Sequence, residues 1–127
     1  MTRVKKGLAA EHIAKARFLL EGFNVYEEVN YDSKIDFLIE KDGQFIRCQV
    51  KCVDNIGMIP FRHKTYSRTK SVSDYYTCKD VDYFIGVDLR KFDIYIIPIS
   101  SIEGLHSKTV NKLTEYKNNF DGLFSCV

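Results

Sequence analysis

Asp36, Gln49 and Lys51 are the residues whose types and spacing could do chemistry together. A carboxylate, an amide oxygen and an ammonium on one surface can hold an oxygen-preferring cation and handle a proton beside an anionic substrate. They lie in two stretches, Lys34 to Glu40 and Phe45 to Cys52, separated by Lys41-Asp42-Gly43-Gln44. Both stretches alternate with period two, which marks half-buried strands, and Asp-Gly favours a two-residue type I′ hairpin turn. With Asp42 and Gly43 as the loop, Lys41 faces Gln44, and the same register sets Asp36 opposite Gln49. Facing residues lie roughly 4.5–5.5 Å apart at Cβ, and Lys51 follows two positions after Gln49, so all three emerge on one face. Ile35, Phe37, Ile39, Ile46, Cys48, Val50 and Cys52 take the other. Spacing alone also fits an ordinary exposed polar cluster in which Asp36 and Lys51 pair weakly.

Other elements must position this hairpin. Met1 to Lys6, with Arg3, Lys5 and Lys6, reads as a short flexible lead. From about Leu8 to Glu21 the periodicity is helical: Leu8, Ala9, Ile13, Ala16, Leu19 and Leu20 share an apolar stripe and Gly22 supplies a stop. Glu11 sits near the edge of that stripe, where an i,i+4 pair with Lys15 is its ordinary use. Phe23 to Asn30 predicts a first strand, and the helix is expected to cover one face of the resulting sheet. Met58 to His63 predicts a short strand, limited by Gly57 and Pro60, and Val72 to Asp80 a short helix. Val81 to Leu89 is an almost continuous apolar run, as expected of a strand buried on both faces. Arg90 to Asp93 turns the chain into a partner strand, Ile94 to Ile99, with Pro98 at its end. One helical turn at Ile102 to Leu105, a weaker helix at Val110 to Tyr116, and a tail docked by Phe120, Leu123 and Phe124 complete the reading.

The chain of 127 residues, 45% hydrophobic and 28% charged, predicts a single domain, 1–127, with a real core. A net charge of +2 does not by itself call for an anionic partner, so a basic surface must come from clustering. Asn55 to Ser73 supplies one: it contains no Asp or Glu but holds Arg62, His63, Lys64, Arg68 and Lys70 among Phe61, Tyr66 and several hydroxyls. That composition suits phosphate contact, and equally a solvated loop. Cys48, Cys52, Cys78 and Cys126 lack paired Cys-x-x-Cys spacing, and no apolar run is signal-like or near the ~18 residues of a membrane span. The expectation is a cytoplasmic protein with reduced thiols and no membrane association.

The order of a helix with Glu11, a strand with Asp36, then Gln49-Val50-Lys51 resembles the PD-(D/E)xK nuclease superfamily. The run Phe45 to Lys51, then Gly57 and Phe61, then Val81-Asp82-Tyr83-Phe84 and Tyr95-Ile96-Ile97-Pro98-Ile99, is similar to the group I intron-associated homing endonucleases that use a Gln-x-Lys motif. The likeness spans about Lys6 to Ile99. It implies an α/β fold with a restriction-endonuclease-like αβββαβ core, a mixed central sheet flanked by helices. It also implies an endodeoxyribonuclease that hydrolyses phosphodiester bonds with Mg²⁺, or Mn²⁺ as a substitute. On the matching positions, Asp36, Gln49 and Glu11 become metal ligands and Lys51 the catalytic lysine; the motif's proline is replaced by Ile35. Arg62, Lys64, Arg68 and Lys70 become the DNA-binding candidates, double-stranded DNA the partner, and a homodimer or higher homo-oligomer the assembly. A Holliday junction resolvase-type nuclease resembles the same core. A catalytically inactive DNA-binding module is the alternative from another class, because Gln49 lacks a charge.

Overall fold

The computed structural model describes residues 1–30, 32–66 and 71–123. Helix α1 runs over Arg3–Leu20, five residues earlier than the apolar periodicity indicates, because the Thr2 hydroxyl accepts the Lys5 amide proton at 3.2 Å and caps it. Arg3, Lys5 and Lys6 therefore occupy the first turn of a helix rather than a flexible lead. Its end is as expected: Gly22, at φ 91°, lets the amides of Gly22 and Phe23 return to the carbonyls of Leu19 and Phe18. The Phe18 and Phe23 rings meet edge-on across that cap.

The buried face of α1 is the i,i+4 row Ala10, Ala14 and Phe18, not the wider stripe expected from the leucines. Two alanines let the helix approach the sheet closely, and Leu8, Leu19 and Leu20 are left exposed. Beneath it lies a five-stranded sheet in the order β1 (Asn24–Glu27), β2 (Phe37–Lys41), β3 (Gln44–Cys52), β7 (Tyr83–Asp88), β8 (Asp93–Pro98). Only β3 and β7 run parallel. This is a mixed α/β architecture of the restriction-endonuclease type, and β7 is buried on both faces as its unbroken apolar sequence requires. Tyr83, Ile85 and Val87 point to α1, where they pack with Phe37, Ile39, Ile46, Cys48 and Val50. Phe84 points the other way, into a second cluster with Ile59, Phe61, Tyr76, Tyr95 and Ile97.

A parallel pair needs a long crossover, and here it carries β4 (Met58–Pro60), β5 (Arg62–Tyr66) and β6 (Ser71–Tyr75). The helix expected at Val72 to Asp80 is not formed. Ser71–Tyr75 pairs with β5 instead, and Thr77 to Asp80 turns on the Asp80 carboxylate, which accepts the Thr77 amide proton at 2.9 Å. Serine, valine, aspartate and tyrosine are modest helix formers, and aromatic and β-branched side chains favour the ribbon. The segment β9 (Ser107–Thr109) pairs with β4, and Val110 to Tyr116 forms two 3₁₀ turns rather than an α-helix. The tail is held where Tyr83 donates its hydroxyl proton to the Leu123 carbonyl at 2.8 Å and Phe120 meets Phe18; Phe124 and Cys126 lie outside the described residues. Cys48, Cys52 and Cys78 are free thiols. Among the described residues no helix is long and apolar enough to cross a membrane.

Candidate active site

The hairpin has the expected turn: Asp42 and Gly43 are both in the left-handed region, at φ 52° and 82°, and Lys41 faces Gln44. The register holds as far as Phe37 opposite Cys48 and then breaks, one residue short of placing Asp36 across from Gln49. In an uninterrupted ladder the Val50 amide would donate to the carbonyl of residue 35. The Asp36 carboxylate takes that place, accepting the Val50 amide proton on Oδ2 at 2.8 Å, while the Asp36 amide donates to Cys48 O at 2.9 Å. Ile35 consequently leaves the α1 face to which alternation assigned it and packs against the second core.

Burial pushes the Asp36 carboxyl up to about 6, against the Val50 hydrogen bond; the Glu11 charge adds to the rise, and Lys51 and Lys15 oppose it. Burial also lowers Lys51, with Asp36 holding it back. Each is held closer to its neutral form than in water. Tyr76, a residue that sequence reasoning missed, lies beside Lys51 and Lys34. The Lys51 and Lys34 ammonium groups lie 5.8 and 5.7 Å from its ring centroid, and the ring itself meets Phe84 edge-on. Its hydroxyl is driven upward by burial and then by Asp36 and Asp80. No pattern marked it, because the segment around it reads as helical.

Gln49 is 8% exposed. Its amide nitrogen donates to Val50 O at 3.4 Å, while Oε1 is buried with no hydrogen-bond partner among the described residues. An orphaned acceptor of this kind costs about 1–3 kcal/mol unless something is bound there. Glu11 makes the expected i,i+4 contact with Lys15, at 3.1 Å, and Lys15 also reaches Glu27 at 2.7 Å. Burial pulls Lys15 down, but the two carboxylates outweigh it and its pKa is raised. Glu11 nevertheless lines one wall of a cleft of about 350 Å³ with Asp36, beside His12, Glu27 and Glu28.

Two carboxylates and an unpaired amide oxygen are all hard oxygen donors, which suits a cation that keeps several of its own waters. Among the described residues no three His, Cys, Asp or Glu side chains group as a metal cage. Asp36 and Glu11 share one cleft, whose lining includes neither Gln49 nor Lys51, and with the orphaned Gln49 oxygen they would suit a hard divalent cation.

The PD-(D/E)XK endonuclease family model matches residues 1–121. The chain belongs to this family. No curated protein matches it. Among solved structures, a bacterial homing endonuclease, I-Ssp6803I, superposes with a TM-score of 0.71 at 21% identity, over 80% of this chain and 72% of that one. That likeness is one of fold.

In this PD-(D/E)XK endonuclease the basic segment divides. Arg68 and Lys70 lie outside the described residues, and Lys64 is placed only by its backbone, on β5 opposite Ser73. Arg62 opens β5, stacks over Tyr75 at 5.5 Å, and lies 2.6 Å from His106 Nδ1. A guanidinium can only donate, so Nδ1 accepts, and the other imidazole nitrogen, 2.6 Å from the Tyr75 hydroxyl, carries the proton. Tyr75 and His106 thus orient Arg62, and their sequence separation of 31 residues hides the arrangement from sequence reading.

Proposed function

We propose that this endonuclease is a Mg²⁺-dependent enzyme that cuts double-stranded DNA at specific sites, in the manner of a homing endonuclease, as a homodimer or higher homo-oligomer. The observation that carries the reading is the Gln49 Oε1 atom, buried without a partner two positions from Lys51 on the strand that Asp36 bonds. Asp36, Gln49 and Glu11 hold the ion, with Mn²⁺ able to replace Mg²⁺. When bound, the cation supplies charge compensation for the phosphate and acidifies a water.

The chain's own residues do the rest. The Val50 amide fixes the Asp36 carboxylate, leaving its second oxygen for the ion. Lys51, lowered by burial and backed by the Tyr76 ring, presents its ammonium to the phosphate and can exchange a proton with the attacking water. Arg62, on its Tyr75 and His106 support, contacts the backbone, together with Lys64, Arg68 and Lys70.

Plasmid cleavage with and without Mg²⁺ tests this. Wild type cuts only with metal, while Asp36→Ala and Lys51→Ala lose cutting by ~10³-fold or more and still bind duplex. Metal-independent cutting, or cutting retained by either variant, sinks the assignment. Strong preference for a four-way junction over linear duplex would replace the homing role with junction resolution.

A further inference from the structure

A second cleft, about 800 Å³, is lined by Val50 and Lys51, neither of which lines the smaller cleft that holds Asp36 and Glu11. Arg3 and Lys6 of α1 line it, with Lys51 and Arg62. Among the described residues its one carboxylate is Asp54, whose Oδ1 accepts the amide protons of Ile56 and Met58 at 3.0 and 2.9 Å, closing the turn before β4. Arg3 and Lys6 have no carboxylate within ion-pair distance among the described residues. The Lys6 charge is felt at Cys52 on the cleft wall, where it opposes the rise that burial imposes on the thiol.

The position of these cations is unfavourable for the helix itself. The first turn of α1 holds no acidic residue and carries Arg3, Lys5 and Lys6 where the macrodipole favours anions. The geometry points to Arg3 and Lys6 as phosphate contacts that, with Arg62, hold one DNA strand in this cleft and lead its backbone to Lys51. The ligand is a polynucleotide backbone, recognised by charge and not by base identity. The inference rests on the nuclease reading and adds to it the path of the strand that reaches the lysine.

The test is equilibrium binding of a labelled duplex by the full chain, with Ca²⁺ in place of Mg²⁺, between about 50 and 200 mM salt. Arg3→Gln/Lys6→Gln is compared with Lys41→Gln/Lys79→Gln, two changes beside Gln44 and Arg47, toward the end of β3 opposite the cleft-lining Val50 to Cys52. Each lost phosphate contact removes about 0.9 from the slope of log affinity against log salt, so the first variant is expected to lose nearly two and to bind about tenfold more weakly at the upper end. The second keeps the wild-type slope. Because the removed charges oppose the dipole, the Arg3/Lys6 variant should melt at or above the wild-type temperature. An unchanged slope overturns the strand path while leaving wild-type cleavage intact. A lowered melting temperature with lost helicity overturns it as well, by assigning both residues to the fold. If wild type neither binds duplex nor cuts it, the nuclease reading fails first and takes the strand path with it.

Discussion

Asp36 is ionised at neutral pH at the expense of the fold. Its carboxyl stands at about 6 against an ordinary 3.8, so the folded state favours the protonated form. Between those values the unfolded chain has released its proton and the folded one has not, and stability falls as pH rises through that window. Above it the cost levels off at about 3 kcal/mol. Asp36→Asn removes that cost. In metal-free buffer at pH 7–8 it should melt above wild type, and the gap should close near pH 4; a gap independent of pH would mean that the carboxylate is not strained. Adding Mg²⁺ should raise wild type alone. The same group makes metal-dependent cutting fall away as pH drops below about 6. Gln49 is the complementary case. Gln49→Glu adds a full charge to a set that has two, which is worth ~1 kcal/mol or more even under strong screening. The Mg²⁺ needed for half-maximal cleavage should drop several-fold, while the metal-free protein loses stability because a second carboxylate is buried near Asp36. An unchanged metal requirement would place Gln49 outside the ligand set.

The elements differ in how much of themselves the sequence discloses, and the reason is range. The β2–β3 hairpin is local: Asp42-Gly43 selects the turn, and period-two alternation carries the register to Phe37 and Cys48. The register fails at Asp36 because a side chain there replaces a backbone acceptor, which no alternation pattern encodes. Helix α1 was legible in kind but not in facing, since the sheet selects Ala10, Ala14 and Phe18 by close approach rather than by hydrophobicity. The crossover is not legible in the sequence because its ribbon is defined by pairing between β5 and β6, and Tyr76 reaches the site only as a result of that fold. Gly86 shows the same long-range dependence. It pairs with Lys51 across the parallel ladder, and a Cβ there would overlap Cδ1 of Ile59 on β4. Gly86→Ala should cost about 1–3 kcal/mol of unfolding free energy by denaturant titration, because Ile59 must move within a packed core. It should also slow cleavage by displacing the neighbour of Lys51. Wild-type stability in this variant would show that β4 is free to shift.

At the scale of the whole molecule, one chain offers one set of Asp36, Gln49 and Lys51, whereas a duplex has two antiparallel strands. Under the proposed function, cutting both would take a second copy related by two-fold symmetry, each copy acting on its own strand. A net charge of +2 spread over the surface would hold DNA poorly, but Arg3, Lys6, Lys51 and Arg62 concentrate on one cleft. Two such clefts in an assembly would span both strands, and affinity would depend steeply on salt. Mixing experiments separate assembly from chemistry. Wild type and Lys51→Ala are unfolded and refolded together with the mutant in large excess, so that most wild-type subunits pair with an inactive partner. Such hybrids keep one working lysine, and their product on a supercoiled plasmid should shift from linear to nicked circle as the mutant fraction grows. Refolded wild type alone should remain mostly linear-forming. If linear product instead falls in simple proportion to wild-type content, with no accumulation of nicked circle, each chain cuts both strands by itself and the symmetric assembly is wrong.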